Sequence, residues 1–341
     1  MSNKIIAAVD SKLRKFELDI RRRVIYGSHQ TAESACLLIK KSIQNAKTDE
    51  DVKYVIQYII NQLQKHLSNN IVIRNLCADI SRNLNEEWLA SRPENREIVR
   101  STSRSVLDMF VTTNDYEDIE PPASALKTRM EEILNSTIDE LSSTYEAIAR
   151  HSPNFISSND IILTVGVSTS ILKFLSDSKC KKTVIIPEHA PQYDGNEMAK
   201  KLRDCGIKVI VIPDSAIFAI IPKVSKIIVS AKAVLLNGGI VSYSITKSIA
   251  LAAKYYSKPF IALYWNSKLS NEFSKPGKTF TNLLQPDQVL PYTDAEITDT
   301  VVINVESDYL PPELITMLIS ENGPHCPPNV FSYVQKHFFD E

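Results

Sequence analysis

The stretch DIILTVGVSTSILKFLSDSKCKKTVIIPEHAPQYDGNEMAKKLRDCGIKVIVIP, residues 160–213, decides the fold of this chain. Short apolar runs alternate in it with helical patterns that begin at Ser168 and Gly195. The runs are DIILTV at 160, TVIIP at 183 and IKVIVIP at 207. Continuous Val and Ile runs are typical of strands buried on both faces, and regular crossovers favour parallel pairing. The stretch therefore predicts the start of a parallel, doubly wound α/β sheet.

The same alternation continues toward the C-terminus. We expect one helix from Asp214, another from about Tyr243 after an NGG turn, and a long loop after PFIALY. The further predicted strands are KIIVS at 226, PFIALY at 259 and TVVINV at 300. Residues 159–341 are therefore predicted to form a Rossmann-like α/β domain with a mostly parallel sheet.

Glycine usage divides the chain into two parts. Only Gly27 precedes position 166, and the other seven glycines lie from Gly166 onward. Turns between strands and helices need glycine where φ is positive or where backbones approach closely, whereas helical hairpins turn without it. The segment DVKYVIQYIINQLQKH at 51–66 carries apolar residues at helical spacing, which predicts a helix with one buried face. We therefore expect residues 1–122 to form an all-helical domain.

A loop and a long helix are predicted between these parts. The acidic stretch TNDYEDIEPP at 113–122 ends in two prolines, which disfavour helix in the residues before them. From Ser124 to about Arg150, apolar residues repeat at intervals of three and four, which is typical of a helix with one apolar stripe. We expect residues 123–158 to form this helix and a linker that bridges the two domains.

Composition and charge exclude several classes of protein. With 341 residues and 43% hydrophobic content, the chain can fill two cores. Lys plus Arg is 39 against Asp plus Glu at 40, so no overall field attracts nucleic acid or a membrane surface. No apolar run approaches the roughly 20 residues of a membrane helix, and the early charges do not suit a signal peptide. The five scattered cysteines lack the spacing of metal or redox sites, so we expect reduced thiols, no metal and a cytosolic location.

Two predicted turns at the carboxyl ends of strands are the candidate binding site. Ligands bind at that edge of a doubly wound sheet. The first turn offers backbone N–H groups and hydroxyls to a phosphate through Gly166, Ser168 and Thr169. Helix capping by the hydroxyls is the alternative explanation of these residues. In the second turn, Asn237 and Gly238 are the corresponding candidates for a phosphate site. A glycine that allows close packing of the backbone is the alternative explanation of this turn.

Several motifs carry a resemblance over nearly the whole chain. The segment FELDIRRRVIYGSHQTAESACLLIKK at 16–41 resembles an arginine-rich family segment that precedes a helix. The later motifs are EMAKKL at 197, DSAIF at 214, NGG at 237, SIALAAK at 248, KLSNEF at 268, QVLPYT at 288 and DYLPPELIT at 308. Together they resemble the homologous alpha, beta and delta subunits of eukaryotic translation initiation factor 2B, and the last two favour the beta type.

The resemblance implies a regulatory, non-catalytic role in the control of translation initiation. The complex exchanges GDP for GTP on initiation factor 2, and the exchange resides in its gamma and epsilon subunits. The alpha, beta and delta subunits bind the alpha subunit of that substrate and sense its phosphorylation. The implied partners are therefore the alpha, delta, gamma and epsilon subunits and the substrate factor, with no cofactor and no direct nucleic acid.

The same scaffold resembles methylthioribose-phosphate and ribose-bisphosphate isomerases, whose chemistry needs a thiol and a carboxylate. Gly166 stands at the position of the thiol, Lys232 at that of the carboxylate, and Tyr243 replaces a lysine. Glu188 and His189 are an alternative acid–base pair, because both are predicted to lie at a strand end. A sugar-phosphate isomerase and a sugar-phosphate or nucleotide sensor are therefore the alternative functions.

Two protein contacts are also implied by the resemblance. In the family, the α/β domains of beta and delta pair about a pseudo-two-fold axis, and the helical parts line a cleft for the substrate's alpha subunit. The first turns of the long helix, around Lys127 and Arg129, are the candidate substrate contact. The residues that match the beta–delta contact are Asn159, Ile161, Thr183, Ile185, Ile210 and Ile212.

Overall fold

The chain divides into two compact units. The computed structural model describes residues 3–67, 70–91, 125–270, 272–273, 282–291 and 300–338. The units are Met1–Leu141 and Ser142–Glu341. Their boundary falls inside one helix, Ala125–Ala149, which lies where the long helix was predicted. The loop predicted at 113–122 lies outside the described residues.

The first unit is helical, as the scarcity of glycine predicted. Its helices are α1 (Asn3–Arg21), α2 (Ser28–Ile43), α3 (Asp49–His66), α4 (Ile71–Ala90) and the first part of α5 (Ala125–Ala149). The side chain of Thr48 caps α3 by accepting a hydrogen bond from the Asp51 amide, and that of Asn70 caps α4 in the same way. The predicted buried face of α3 is confirmed by Val52, Val55, Ile56, Ile59, Ile60 and Leu63.

The second unit contains two sheets and the remaining helices. The strands are β1 (Asp160–Leu163), β2 (Lys182–Pro187), β3 (Lys208–Ile212), β4 (Lys226–Ser230), β5 (Ala233–Val234), β6 (Ile240–Tyr243), β7 (Phe260–Leu263), β8 (Asn282–Leu284), β9 (Asn304–Leu310), β10 (Met317–Ser320) and β11 (Gly323–His325). The helices are α6 (Thr169–Asp177), α7 (Asp194–Asp204), α8 (Ile217–Ile220), α9 (Ile245–Tyr255) and α10 (Val330–Phe338).

The larger sheet has seven strands in the order β11-β10-β7-β4-β1-β2-β3. It is parallel except for β11, which pairs antiparallel with β10. The chain moves outward from β1 to β3 and then crosses back to β4 on the other side of β1. Because such crossovers are right-handed, α6 and α7 cover one face of the sheet and α8 and α9 cover the other. In agreement, Ile217 of α8, Ile249 of α9 and Ile185 of β2 belong to one core cluster.

The smaller sheet corrects part of the strand prediction. It is antiparallel, with the order β5-β6-β9-β8. Residues 300–303 form no strand, and the strand that follows them, β9, joins this smaller sheet instead of the parallel one. The polar residues of β9 suit a sheet with one partly solvated face. The last parallel strand is β10, Met317–Ser320, which was not among the predicted strands.

Two predicted helices also differ in their limits. Around Asp214 the chain forms only a 3-10 turn and the short helix α8, because Pro222 follows closely and cannot continue a helix. The second helix begins at Ile245 rather than near Tyr243, since Tyr243 ends strand β6. Within the described ranges, no helix is both long enough and apolar enough to span a bilayer.

Candidate functional site

The candidate site lies where the order of the parallel strands reverses. The chain leaves β1 through Thr164, Val165 and Gly166, and it leaves β4 through Ala231 and Lys232. These strands are neighbours, and the crossovers that start from them lead to opposite faces of the sheet. Such a reversal opens a crevice at the carboxyl ends of the strands, which is the usual ligand site of this architecture.

The side chain of Tyr243 fills the crevice beside the first turn. Gly166 has a φ of 64°, and a Cβ built on it would collide with the ring of Tyr243. The ring is only 7% exposed, and its hydroxyl donates a hydrogen bond to the carbonyl of Val167 at 3.3 Å. The sequence therefore needs glycine at 166 both for the backbone conformation and for the space that Tyr243 takes.

The positive charge of Lys232 is compensated within the same site. Its Nζ lies 2.9 Å from Glu306 Oε1 and 4.4 Å from the centroid of the Tyr243 ring. The amine therefore makes an ion pair and a cation–π contact at the same time. At the two positions where isomerase chemistry would need a thiol and a carboxylate, the structure has a glycine covered by an aromatic ring and a lysine paired with a carboxylate.

The predicted phosphate-binding residues make structural contacts in both turns. Ser168 is the N-cap of α6, and its Oγ accepts a hydrogen bond from the Ile171 amide at 3.4 Å. Thr169 is the first residue of that helix and is exposed. In the second turn, Asn237 Nδ2 donates to the Tyr309 hydroxyl at 2.7 Å. The first turn packs against Tyr243, whereas the second contacts Tyr309.

The glycine of the second turn is fixed by its neighbours. Gly238 has a φ of 79°, and a Cβ there would collide with the carbonyl oxygen of Pro327. Asn237 Oδ1 also accepts a hydrogen bond from the Gly239 amide at 3.1 Å, which closes the turn. Close packing thus accounts for Gly238, and a phosphate pocket formed by the two turns remains a prediction.

Of the alternative acid–base pair Glu188 and His189, the histidine is engaged by its neighbours. His189 is buried, and its Nδ1 lies 3.6 Å from Asp194 Oδ2. Its ring meets the Tyr243 ring edge to face, with centroids 4.9 Å apart. The carboxylate of Asp214 accepts hydrogen bonds from the amides of His189 and Ala190, both at 2.9 Å. His189 therefore packs as a partner of Asp194 and Tyr243.

Lys268 is a site residue that the sequence pattern did not reveal. Its side chain is buried, and its Nζ donates hydrogen bonds to the Ala231 carbonyl at 2.6 Å and to Ser230 Oγ at 3.3 Å. Burial, together with the smaller effect of the Lys232 charge, lowers the pKa of this amine to about 7, although the carboxylate of Glu321 acts in the opposite direction. The KLSNEF motif marks the position, but nothing in the local sequence predicts that the lysine is buried.

The predicted beta–delta contact residues share one face of the sheet. Ile161 pairs with Thr183, and Ile185 pairs with Ile210, so alternate residues of β1, β2 and β3 point the same way. Ile185 and Ile212 are buried in the unit's own core, whereas Ile210 is 42% exposed. Ile161 and Thr183 are partly buried, and Asn159, just before β1, is exposed with a φ of 70°. The accessible part of this set, Asn159, Ile161, Thr183 and Ile210, is called the open sheet face below.

The predicted substrate-contact residues lie on the first turns of α5, in the helical unit. Lys127 Nζ donates a hydrogen bond to the Gln44 carbonyl at 2.7 Å. Arg129 forms an ion pair with Glu87 at 2.6 Å, and its side chain remains 58% exposed. Both cations therefore stabilise the helical unit, and Arg129 also presents charge to the solvent.

Comparison with known proteins places these features in a family. The model described as the Initiation factor 2 subunit family matches residues 24–327. The chain is 32% identical over 230 residues to "Translation initiation factor eIF2B subunit beta" of Dictyostelium discoideum, covering 66% of this chain and 59% of that protein. It is also 32% identical over 212 residues to the protein of the same name in Schizosaccharomyces pombe, covering 61% and 54%. The matches thus span little more than half the length of these curated relatives.

A solved structure has the same fold. The "tetrameric eIF2B-beta2-delta2 complex from C. thermophilum" contains a chain that matches with a TM-score of 0.67 and 21% sequence identity. The match covers 97% of this chain and 95% of that chain. At this level of identity the likeness establishes the fold, which is the helical region followed by the mostly parallel α/β sheet.

Replacing Gly166 with Ala tests the packing of Tyr243. We expect Gly166→Ala to destabilise the chain by about 1–3 kcal/mol, because the new methyl group collides with the ring and the backbone is strained. In a Tyr243→Ala background the collision is absent, so the same substitution should cost less. Chemical denaturation of the four variants gives this coupling. An equal cost in both backgrounds would contradict the packing.

Replacing Lys268 with Met should change how stability depends on pH. The amine has a pKa of about 7 in the folded chain and one near 10.4 when unfolded. Between these values unfolding takes up a proton, so the wild-type chain gains stability as the pH rises. The free energy of unfolding of wild type minus that of Lys268→Met should increase by up to about 4 kcal/mol from pH 7 to pH 10.

Denaturation at several pH values in this range measures the effect. Lys200→Met, at an exposed lysine of α7, is the matched control and should show no comparable trend. A difference between wild type and Lys268→Met that stays constant with pH would contradict the buried, neutral amine.

Proposed function

Because this chain belongs to the Initiation factor 2 subunit family, we propose that it is a regulatory subunit of beta type in the complex that exchanges guanine nucleotide on translation initiation factor 2. Two relatives named as beta subunits of eIF2B support the beta type. In this role the chain works in the cytosol and takes part in the control of translation initiation under stress.

The filled crevice supports a role without catalysis of its own. Moving a proton between sugar carbons needs an acid and a base placed beside the substrate. At the corresponding positions the ring of Tyr243 covers Gly166, and Lys232 is paired with Glu306. His189, the nearest other candidate, is engaged by Asp194. This packing is the observation that carries the proposal. Because side chains of the protein itself occupy the crevice, we assign the function to contacts made by the surfaces of the chain.

The open sheet face is the proposed contact with a delta-type subunit. A beta–delta complex is named among the structural relatives. On this face Ile210 is 42% exposed on the edge strand β3, and Ile161 and Thr183 lie beside it. An exposed apolar edge of this kind is protected best by a partner. The alpha, gamma and epsilon subunits complete the proposed assembly.

The helical unit is the proposed place where phosphorylation of the substrate is sensed. A phosphate adds a charge of about −1.5 to −2, so the subunit must hold the two forms of the substrate's alpha subunit differently. Arg129 offers an exposed guanidinium on α5 that is already oriented by Glu87. A phosphate close to this ion pair would compete with Glu87 for the guanidinium, which links the charge of the substrate to the Arg129–Glu87 contact between α5 and α4.

Assembly with a delta-type subunit tests the proposed function. Co-expression of the two chains from one organism, followed by native mass spectrometry, should give a stable complex. Ile210→Asp places a charge on the open sheet face and should weaken the complex at least about tenfold. Leu89→Asp, at an exposed apolar residue of the helical unit, is the matched control and should leave the complex intact. A chain that remains alone in the presence of delta would contradict the proposal.

Charge reversal at Arg129 tests the sensing role. In the reconstituted complex, Arg129→Glu should raise the concentration of phosphorylated substrate needed to inhibit exchange by at least about fivefold. Exchange on the unphosphorylated substrate should change little. Lys65→Glu, at an exposed lysine of α3, serves as the control. Unchanged inhibition in the Arg129 variant would remove this residue from the sensing surface.

A further inference from the structure

A cluster of exposed aromatic rings lies on the α/β unit outside the site described above. Phe218 of α8 is 52% exposed, and Tyr255 at the end of α9 is 73% exposed. Their ring centroids are 5.5 Å apart, and Tyr256 lies 5.2 Å from Phe218 and 4.9 Å from Tyr255. Leu251, one helical turn before Tyr255, is 55% exposed on the same side of α9. These four residues are called the aromatic patch.

The aromatic patch lies on the same side of the sheet as the open sheet face. Helices α8 and α9 cover the side of the sheet on which Ile161, Thr183 and Ile210 point outward. Tyr256 and Ile161 pack against the same core cluster. Both surfaces therefore lie on the same side of the sheet. Exposed apolar groups gathered on one side of a chain are typical of a protein contact.

The charges beside the aromatic patch are mostly positive and uncompensated. Lys254 and Lys258 flank Tyr255 and Tyr256 in the sequence, and Lys223 follows α8. Among the residues that the structure describes, none forms an ion pair or a side-chain hydrogen bond with these three amines. The segment Pro312–Leu314, which contacts α9, carries the exposed carboxylate of Glu313, and this group is not paired with them either.

From this geometry we infer that the aromatic patch and its lysines select a different, related subunit over a second copy of this chain. The inference rests on the proposed function. Two identical chains that pair about a two-fold axis through the aromatic patch present the same surface to each other, so the lysines close to that axis face their own copies. Like charges at a contact suppress a wrong partner, whereas carboxylates at the matching edge stabilise the right one. The fitting partner is therefore a related α/β unit whose apolar surface is bordered by acidic residues.

Reversal of two of these charges tests the inference. Binding of the full-length chain to the purified delta-type subunit is measured by isothermal titration calorimetry. Lys254→Glu/Lys258→Glu should weaken this binding at least about tenfold. Lys173→Glu/Lys200→Glu reverses two exposed lysines on α6 and α7, which cover the opposite face of the sheet, and should change the affinity less than about twofold.

Self-association provides the second readout. Analytical ultracentrifugation should show that the wild-type chain alone does not pair, whereas a mixture of wild type and Lys254→Glu/Lys258→Glu does, because the two charge patterns then match. Unchanged delta binding by this variant would overturn the inference, and so would wild-type self-pairing as tight as delta binding. Failure of the wild-type chain to bind delta at all would instead overturn the proposed function, so the two failures are distinguishable.

Discussion

The reversal of strand order beside β1 is the constraint on which the rest of the α/β unit depends. Parallel strands are joined by right-handed crossovers, so a reversal sends the helices to opposite faces and opens a crevice at the strand ends. In this chain the crevice is filled from within. The ring of Tyr243 lies over Gly166, Glu306 pairs with Lys232, and the buried amine of Lys268 donates a hydrogen bond to the Ala231 carbonyl. At the place where this architecture usually has a ligand site, the chain has a packed core.

Because the crevice is filled, the proposed functional surfaces lie on the outside of the unit. Helix α8 has only four residues, and part of the sheet face on its side remains exposed around Ile210 on the edge strand β3. The aromatic patch lies on the same side of the sheet and is bordered by lysines without counter-charges. An apolar centre with charges at its border is the usual composition of a specific protein contact. This composition is the one that the proposed contact with a partner subunit requires.

The sequence predicted the local features well and the distant contacts poorly. The runs at 160, 183, 207 and 226 became parallel strands because uninterrupted Val and Ile suit burial on both faces. Tyr243 was expected to begin a helix, but it ends strand β6. The position of this strand depends on its pairing with β9, more than sixty residues away in sequence, which no local pattern predicts. The burial of Lys268 also depends on a distant contact, because its amine binds Ser230 and Ala231 at the end of strand β4. Ser168 and Gly238 were correctly placed in turns, but the groups that they contact are set by tertiary packing.

Hydroxyl-radical footprinting of the chain with and without the delta-type subunit tests the central claim most directly, because it reports the solvent exposure of individual side chains. The account predicts that oxidation of Phe218 and Tyr255 falls sharply in the complex, since both are more than half exposed in the free chain. Tyr193 at the start of α7 and Tyr54 of α3, which are 51% and 44% exposed, should react as before. Undiminished oxidation of Phe218 and Tyr255 in a complex that has formed would contradict a contact through this side of the sheet.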